Sequence, residues 1–316
     1  MDTKPHVLLL EELTAGALAQ LREHSHLHFA AAPDRGPELA DQYPIRAIIT
    51  RGKGRVDRDL IDRCPELEVV ARAGVGLDNV AVDYATEKNV KVLNLPGSNA
   101  ATVAEHTLGL MLGLQRQLHV AVREVKDGNW AFRHSYGGDE LRGKTLGILG
   151  RGNIGTRVAA LAEAFQMKVL FLARTRVQYE EQGSQERNLY ELMEEADILS
   201  LHLPLTDRTH GLLSEKAFSR IKPGSLIVNT ARGEIIDNEA LLAALRSGRV
   251  GGYAADVMSK EQLAEAGDLI AHPNVLLTPH VASLTGRTFT DMSEQTVRNT
   301  LAILAGKTVP ERYQYN

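Results

Sequence analysis

Along the first hundred residues, short apolar runs alternate with stretches of helical period. Residues 6–10 carry the run Val7 to Leu10 and predict a first strand. Residues 13–21 place Leu13, Ala17, Leu18 and Leu21 on one helical face. Residues 27–31 predict a second strand, and 47–50 and 69–71 two more, separated by an amphipathic helix over 56–63. A helix over 80–88 and an extended segment over 91–95, ending at Pro96, complete a small α/β pattern. From Ala100 the pattern is helical and almost wholly apolar through Leu118. Ala104, Leu108, Met111, Leu112 and Gln115 lie on one stripe, and Leu110, Leu114 and Leu118 on another. A helix apolar on several faces is buried against a second domain or a second subunit. We read it as a hinge element that also contributes to a dimer interface; an internal helix of a monomer fits the same pattern.

Residues 145–280 repeat the alternation, with apolar runs at Leu146, Val169, Ile198, Leu226, Tyr253 and Val275 and helical segments at 187–196, 214–221 and 238–247. Six strands with helical crossovers describe a doubly wound parallel sheet. After Ser283 a long helix to about Leu304 is expected to pack back on the first domain. The expected division is 1–98 with 284–316, and 99–283.

Within the second block, Leu146 to Leu149 leads into Gly150-Arg151-Gly152-Asn153-Ile154-Gly155, then a helical pattern, then a second apolar run over 168–172. Strand, G-x-G-x-x-G, helix and strand form a dinucleotide-binding unit of Rossmann type. Gly150 permits the tight turn, Gly152 lets a pyrophosphate approach the backbone, and Gly155 allows close packing of helix on strand. The helix start at Asn153 and Ile154 offers N–H groups and partial positive charge. After the second strand the chain reads Ala173-Arg174-Thr175-Arg176, and the first carboxylate is Glu180. A ribose 2′-phosphate would meet two guanidiniums and a hydroxyl, so NADP(H) is expected in preference to NAD(H).

At 316 residues the chain accommodates two domains. A net charge of −4 with no basic stripe argues against nucleic acid as the main partner. The single cysteine, Cys64, precludes an intrachain disulfide and reads as packing. No metal-ligand spacing appears, and no run approaches the length of a membrane span. A cytoplasmic enzyme is the expectation.

Several phrases occur in order: Arg72-Ala73-Gly74-Val75-Gly76-Leu77-Asp78-Asn79; Pro96-Gly97-Ser98-Asn99 with Val103-Ala104-Glu105; the glycine turn; Ser200-Leu201-His202-Leu203-Pro204-Leu205-Thr206; Asn229-Thr230-Ala231-Arg232-Gly233; Ala255-Asp256-Val257; Thr278-Pro279-His280-Val281-Ala282. Together they resemble the D-isomer-specific 2-hydroxyacid dehydrogenases, from about residue 45 to residue 305. The resemblance implies a nucleotide domain inserted into a smaller substrate domain built from both chain ends. It implies a catalytic Arg232, Glu261 and His280. Met258 and Gln262 depart from the family phrase around the glutamate, and Glu265 is an alternative to Glu261. It further implies that His202, Pro204, Thr230, Ala231 and Asp256 border the cofactor, and that Val75 and Gly76 hold the substrate carboxylate through backbone N–H groups. Asp256 as a helix cap is the plain structural alternative.

An imidazolium suits the proton a reduced carbonyl needs, a carboxylate beside it favours the charged ring, and an arginine can grip the substrate carboxylate. Arg51, Lys53, Arg55 and Arg72 are candidates to read a second anion; Arg72, beside the carboxylate loop, is the strongest, and Lys53 and Arg55 read as solvated. The expected activity is NADPH-dependent reduction of a short 2-oxo acid such as hydroxypyruvate or glyoxylate. A dianionic substrate like 3-phosphoglycerate, or a corepressor-like NAD(P)H sensor, are the alternatives. A formate-type oxidation is disfavoured by Glu261.

Overall fold

In the computed structural model, which describes residues 4–172 and 186–316, the chain forms two compact units, Met1–Asn99 with Ser283–Asn316, and Ala100–Ala282. Strands β1 (His6–Leu9), β2 (His26–Phe29), β3 (Ile45–Thr50), β4 (Val69–Arg72) and β5 (Lys91–Leu93) make the sheet of the first unit. All its pairings are parallel, in the order β2-β1-β3-β4-β5. Its helices are α1 (Ala15–His24), α2 (Gly36–Gln42), α3 (Arg58–Asp62), α4 (Val82–Glu87) and the C-terminal helix Gly286–Leu304.

The apolar runs are continuous here because both faces of the sheet are covered. Leu8, Ile48, Val70 and Val92 point to one side, against Leu60, Ile61 and Ala85. Val7, Leu9, Ile49 and Val69 point to the other, against Leu21 and Val297. Cys64 belongs to the first cluster; burial, with Asp41 nearby, pushes its thiol up to about 11, which fits a packing role. The tail lies along β5, with Tyr315 N–H bonded to Val92 O at 2.9 Å and Val92 N–H to Asn316 Oδ1 at 2.7 Å. That pairing covers a sheet edge otherwise open to association. Helix α2 was not legible, because Gly36 and Pro37 open it and only Leu39 and Ala40 bear on the core.

The second unit begins with α5 (Ala100–Gln115) and α6 (Leu118–Lys126), followed by β6 (Thr145–Leu149), α7 (Asn153–Ala164) and β7 (Lys168–Leu172). Then come β8 (Glu186–Arg187), α8 (Leu189–Glu195), β9 (Ile198–Leu201), α9 (Glu215–Phe218), β10 (Ser225–Asn229), α10 (Asn238–Arg246) and β11 (Val250–Ala255). Two short helices, α11 (Lys260–Glu265) and α12 (Gly267–Ala271), precede β12 (Val275–Leu277). The sheet is parallel throughout, in the order β12-β11-β10-β9-β6-β7-β8, so the order reverses between β6 and β9. This is a doubly wound Rossmann-like sheet. The two-residue β8 is a seventh strand beyond the six expected; its Glu-Arg sequence carries no apolar signal.

The apolar helix differs from the sequence reading. It stops at Gln115, and Gln117 turns the chain through a left-handed conformation (φ 46°) before α6 starts at Leu118. Helix α5 is apolar all round because it packs within its own unit, on α7, β10 and β11, with Leu110, Met111 and Leu114 buried. The exposed apolar surface falls instead on α6 and the turn after it: Leu118, Val122, Val125 and Trp130.

One contact fixes the bend after β3. Glu11 Oε1 accepts from the N–H groups of Arg51 (2.9 Å), Gly52 (2.6 Å), Lys53 (2.8 Å) and Gly54 (3.0 Å). Burial raises the pKa of this carboxyl, but the four N–H donors outweigh it and hold it below the ordinary glutamate value. A depressed carboxyl stabilises the fold in full above the ordinary glutamate range and loses that contribution as pH falls through the folded-state value. Glu11→Gln should therefore cost about 1 kcal/mol at neutral pH, the low end for stranded donors because water reaches this half-buried site. The gap from the unsubstituted chain should narrow in acid. Chemical denaturation at pH 7 and pH 3 measures it; an equal gap at both values would refute the role of the charge.

Candidate active site

The sequence-predicted residues of the second unit gather on one edge of its sheet. Gly150 follows β6, His202 follows β9, Thr230 to Arg232 follow β10, Asp256 follows β11, and Thr278 to His280 follow β12. All these strands are parallel, so all five segments leave the same, carboxyl-terminal edge. Ligands of open α/β sheets bind outside that edge, where the strand order reverses.

The glycine turn is built as the motif requires. Gly150 has φ +111°, and a Cβ there would stand 2.5 Å from the carbonyl oxygen of His202. A Cβ on Gly155 would collide with the carbonyl oxygen of Gly150. Gly152, in contrast, faces open space. It is the N-cap of α7 and supplies no side-chain cap. The first N–H to find a backbone acceptor in this turn is that of Thr156, on Gly152 O at 3.0 Å. The N–H groups of Asn153 and Ile154, ahead of it, have no acceptor among the described residues. Open space and unengaged donors at a helix start fit a pyrophosphate.

His202 lies under this turn. Its N–H bonds to Leu149 O at 2.8 Å, and its Nε2 lies 2.8 Å from the Oγ of the buried Ser200. Desolvation lowers its pKa to about 3, so the ring is neutral at working pH. Pro204 is exposed on a turn closed by Thr209 Oγ1 donating to Pro204 O at 2.6 Å.

Asn229, buried at the end of β10, shapes the next loop. Its Oδ1 accepts from Ala231 N–H and its Nδ2 donates to Arg232 O, both at 2.9 Å. The Thr230 hydroxyl meets that of Thr107, on α5, at 2.9 Å. Arg232 is half-buried and donates through Nη1 to Ala231 O at 2.7 Å. Gly233 packs so closely on the side chain of Gln262 that a Cβ would overlap it, which sets this loop beside the first turn of α11. Gln262 forms a capping box with Ser259, and Glu261 is exposed next to it.

Asp256 caps no helix, since Ser259 caps α11. Its buried carboxylate grips the loop after β12 instead. Oδ1 accepts from Thr278 Oγ1 (2.5 Å) and Val281 N–H (2.9 Å), and Oδ2 from Ala282 N–H (2.8 Å). His106, on α5, adds a contact to Thr278 Oγ1 at 3.0 Å. Between these anchors His280 is held at φ +57°, with its side chain exposed. A left-handed histidine costs about 1–2 kcal/mol, and three hydrogen bonds to a carboxylate, each worth about 1.5–3 kcal/mol, exceed that cost. Among the described residues no hydrogen bond or ion pair runs from the imidazole to Glu261 or Glu265, and Glu261 is itself engaged.

In the first unit, Val75 and Gly76 follow β4 in a turn held by Asn94, whose Nδ2 donates to Val75 O at 2.6 Å. The N–H groups of Val75 and Gly76 have no acceptor among the described residues. The Arg72 side chain folds over Gly74, leaving no room there for a Cβ. Arg51 stacks over the Phe289 ring at 4.9 Å, while Lys53 and Arg55 are exposed. Arg174, Thr175 and Arg176 lie outside the described residues.

A profile of the D-isomer specific 2-hydroxyacid dehydrogenase NAD binding domain matches residues 108–282. The chain belongs to this family. A glyoxylate reductase of Aeropyrum pernix is 41% identical over 97% of this chain and 95% of its own length. A D-3-phosphoglycerate dehydrogenase of Mycobacterium leprae is 36% identical over 97% of this chain, which spans 58% of that relative. The crystal structure of the TT0316 protein from Thermus thermophilus superimposes with a TM-score of 0.88 at 34% identity, covering 98% of this chain and all of that one. The chain is an NAD(P)-dependent D-2-hydroxyacid dehydrogenase.

Two further observations define the dehydrogenase. Among the described residues no helix is long and apolar enough to cross a membrane. A cavity of about 360 Å³ opens at the amino ends of β6, β9, β10 and β11, beside Lys144, Asp197, Ser225 and Gly251. It lies at the opposite edge of the sheet from the described motif residues of its own unit. Gly155→Ala should abolish dinucleotide binding, because a backbone carbonyl cannot yield to the new methyl as a side chain could. Titration of NAD(P)H fluorescence with a parallel thermal melt tests this. Unchanged affinity and unchanged melting would contradict the packing argument.

Proposed function

We propose that the enzyme reduces a short 2-oxo acid, of the glyoxylate or hydroxypyruvate class, to the D-2-hydroxy acid with NADPH preferred over NADH. The observation that carries this reading is the pairing of Arg232 and His280 on loops that leave one sheet edge beside the glycine turn. The glyoxylate reductase relative, matched along nearly its whole length, favours a small substrate.

Bound nicotinamide dinucleotide supplies a hydride to the carbonyl carbon of the oxo acid. In this reading Gly150, Gly152, Asn153, Ile154 and Gly155 hold its pyrophosphate, and His202, Pro204, Thr230, Ala231 and Asp256 border the rest. The neutral His202 and the engaged carboxylate of Asp256 act there as scaffold. His280 donates its proton to the carbonyl oxygen as negative charge develops, and neutral imidazole takes it back in the reverse direction. Arg232 grips the substrate carboxylate and polarises the carbonyl. By the family resemblance the N–H groups of Val75 and Gly76 bind the substrate carboxylate, with Arg72 beside them in the sequence. Glu261 is the carboxylate assigned to favour the charged form of His280, with Glu265 the alternative. Arg174, Thr175 and Arg176 receive the 2′-phosphate.

The phosphoglycerate dehydrogenase relatives favour a second reading, a dianionic substrate. Against it, the N–H groups from Arg51 to Gly54 already serve Glu11, so an anion arriving there would meet a carboxylate. Lys53 and Arg55 remain the cations exposed for it.

Initial rates of NADPH and NADH oxidation with hydroxypyruvate and glyoxylate test the reading. Arg232→Ala and His280→Ala should each lower kcat by about 10²–10⁴-fold with cofactor binding retained. Arg174→Ala should raise the KM for NADPH far more than that for NADH. Turnover with NADH alone would overturn the cofactor preference, and full activity in either alanine variant would overturn the assigned roles.

We also propose a homodimer. Leu118, Val122 and Val125 recur at i, i+4 and i+7 on α6 and are about half exposed, and Trp130 is 71% exposed. Such a face is covered in solution by a second subunit. Light scattering should give twice the chain mass, and Val122→Glu should halve it. A monomer for the unsubstituted chain would sink the proposal.

A further inference from the structure

Two consecutive residues of α5 reach the two loops to which the chemistry is assigned. His106 Nε2 lies 3.0 Å from Thr278 Oγ1 and 3.6 Å from Asp256 Oδ1. Thr107 Oγ1 lies 2.9 Å from Thr230 Oγ1. The hydrogens follow from the neighbouring bonds. Thr278 has one hydroxyl hydrogen, and it is directed at Asp256 Oδ1. Its oxygen therefore accepts from His106, and His106 Nε2 carries a hydrogen. Thr107 spends its own hydrogen on Val103 O at 2.7 Å, so Thr230 is the donor in the Thr107 contact. One loop thus needs a donor at position 106, and the other an acceptor at 107.

The helix that carries them has little freedom to shift. It is wedged on α7, β10 and β11 by Leu110, Met111 and Leu114. Thr107 is fully buried, and His106 has a side chain 26% exposed. Thr278 also accepts His280 N–H on its carbonyl at 3.0 Å and donates its own N–H to Ala255 O at 2.9 Å. Thr278 thus links His106 directly to the loop that holds His280 in its left-handed conformation.

We propose that His106 and Thr107 are positioning residues that set the spacing of the His280 and Arg232 loops from a single rigid helix. The role rests on the functional reading above. Without the donor at 106, Thr278 loses one of its anchors and His280 spends time in relaxed backbone conformations where its ring no longer meets the carbonyl oxygen. Without the acceptor at 107, the buried Thr230 hydroxyl has no partner and the Arg232 loop shifts.

The test uses the full chain with His106→Leu, His106→Gln, Thr107→Val and Thr107→Ser. His106→Leu should lower kcat about 10–100-fold, the scale of an ångström of misplacement, with the KM for dinucleotide unchanged. His106→Gln restores an N–H donor at similar reach and should recover most of the loss. Thr107→Val should lower kcat or raise the oxo-acid KM, and Thr107→Ser should recover it. A second readout is the His280 ring carbon–proton resonance in the free protein, identified by its loss in His280→Ala. It should shift or split in His106→Leu and return in His106→Gln. Wild-type kinetics and an unmoved resonance in His106→Leu, with wild-type kinetics in Thr107→Val, would overturn the proposal. If His106→Leu fails to fold, the Thr107 pair decides by rescue or its absence. If the unsubstituted chain turns over no 2-oxo acid, the functional reading falls; the resonance then decides the positioning role alone, moved in support or unmoved against.

Discussion

A carboxylate removed from water must be given donors, and the placement of Asp256 obeys that constraint. It sits at the end of β11, between the strands that deliver Arg232 and His280, and is 1% exposed. Its backbone N–H bonds to Asn229 O at 3.0 Å on the β10 side. Its two oxygens take three donors from the loop after β12 on the other side. Leaving any of those donors unpaired beside a buried charge would cost about 1–3 kcal/mol, comparable to the whole strain at His280. Asp256, which the resemblance sets beside the cofactor, is also the rivet between two loops of the fold.

Legibility in the sequence divides along the same physical line. Strands with apolar residues on both faces write themselves as runs, so 6–10, 47–50 and 146–149 are readable without any contact information. The glycine turn is readable because collisions at Gly150 and Gly155 forbid any side chain. The break at Gln117 is not, since a left-handed glutamine has no sequence signature and Leu118 continues the apolar period of the helix before it. Nor is the engagement of polar side chains. Asn229 and Asp256 stand in quoted phrases, but which loop each would hold depends on strand order. His106 and Thr107 sit in a helix that reads as packing alone. A polar residue inside an apolar stretch was the available signal, since such a group must find a partner once buried.

Two backbone cradles in the first unit show why a sequence pattern underdetermines binding. The bend from Arg51 to Gly54 and the turn at Val75 and Gly76 both follow a strand, and both present N–H groups outside its carboxyl end. One is filled by the chain's own Glu11. The other has its carbonyl tied to Asn94 and its N–H groups without an acceptor among the described residues. From sequence, Arg51, Lys53 and Arg55 make the first cradle a candidate for a second anion, and Arg72, beside the second cradle, is the stronger candidate. The partner supplied from the end of β1 weighs further against the first cradle, because a second anion there must displace or approach a carboxylate already holding four donors.

The two histidines at the carboxyl edge carry the same lesson into proton chemistry. His202 and His280 both follow a strand end within a short motif, and by residue type either could move a proton. Desolvation takes His202 to about 3, and its ring is bonded to a buried serine, so it stays neutral at neutral pH. His280 is exposed and makes no side-chain hydrogen bond within the described residues, while its backbone is held at φ +57° between Thr278 and Val281, both bonded to Asp256. The two rings thus differ in solvent contact, and their loops in how the backbone is held. Burial supplies the first distinction and Asp256 the second, and neither is a property of the histidine itself.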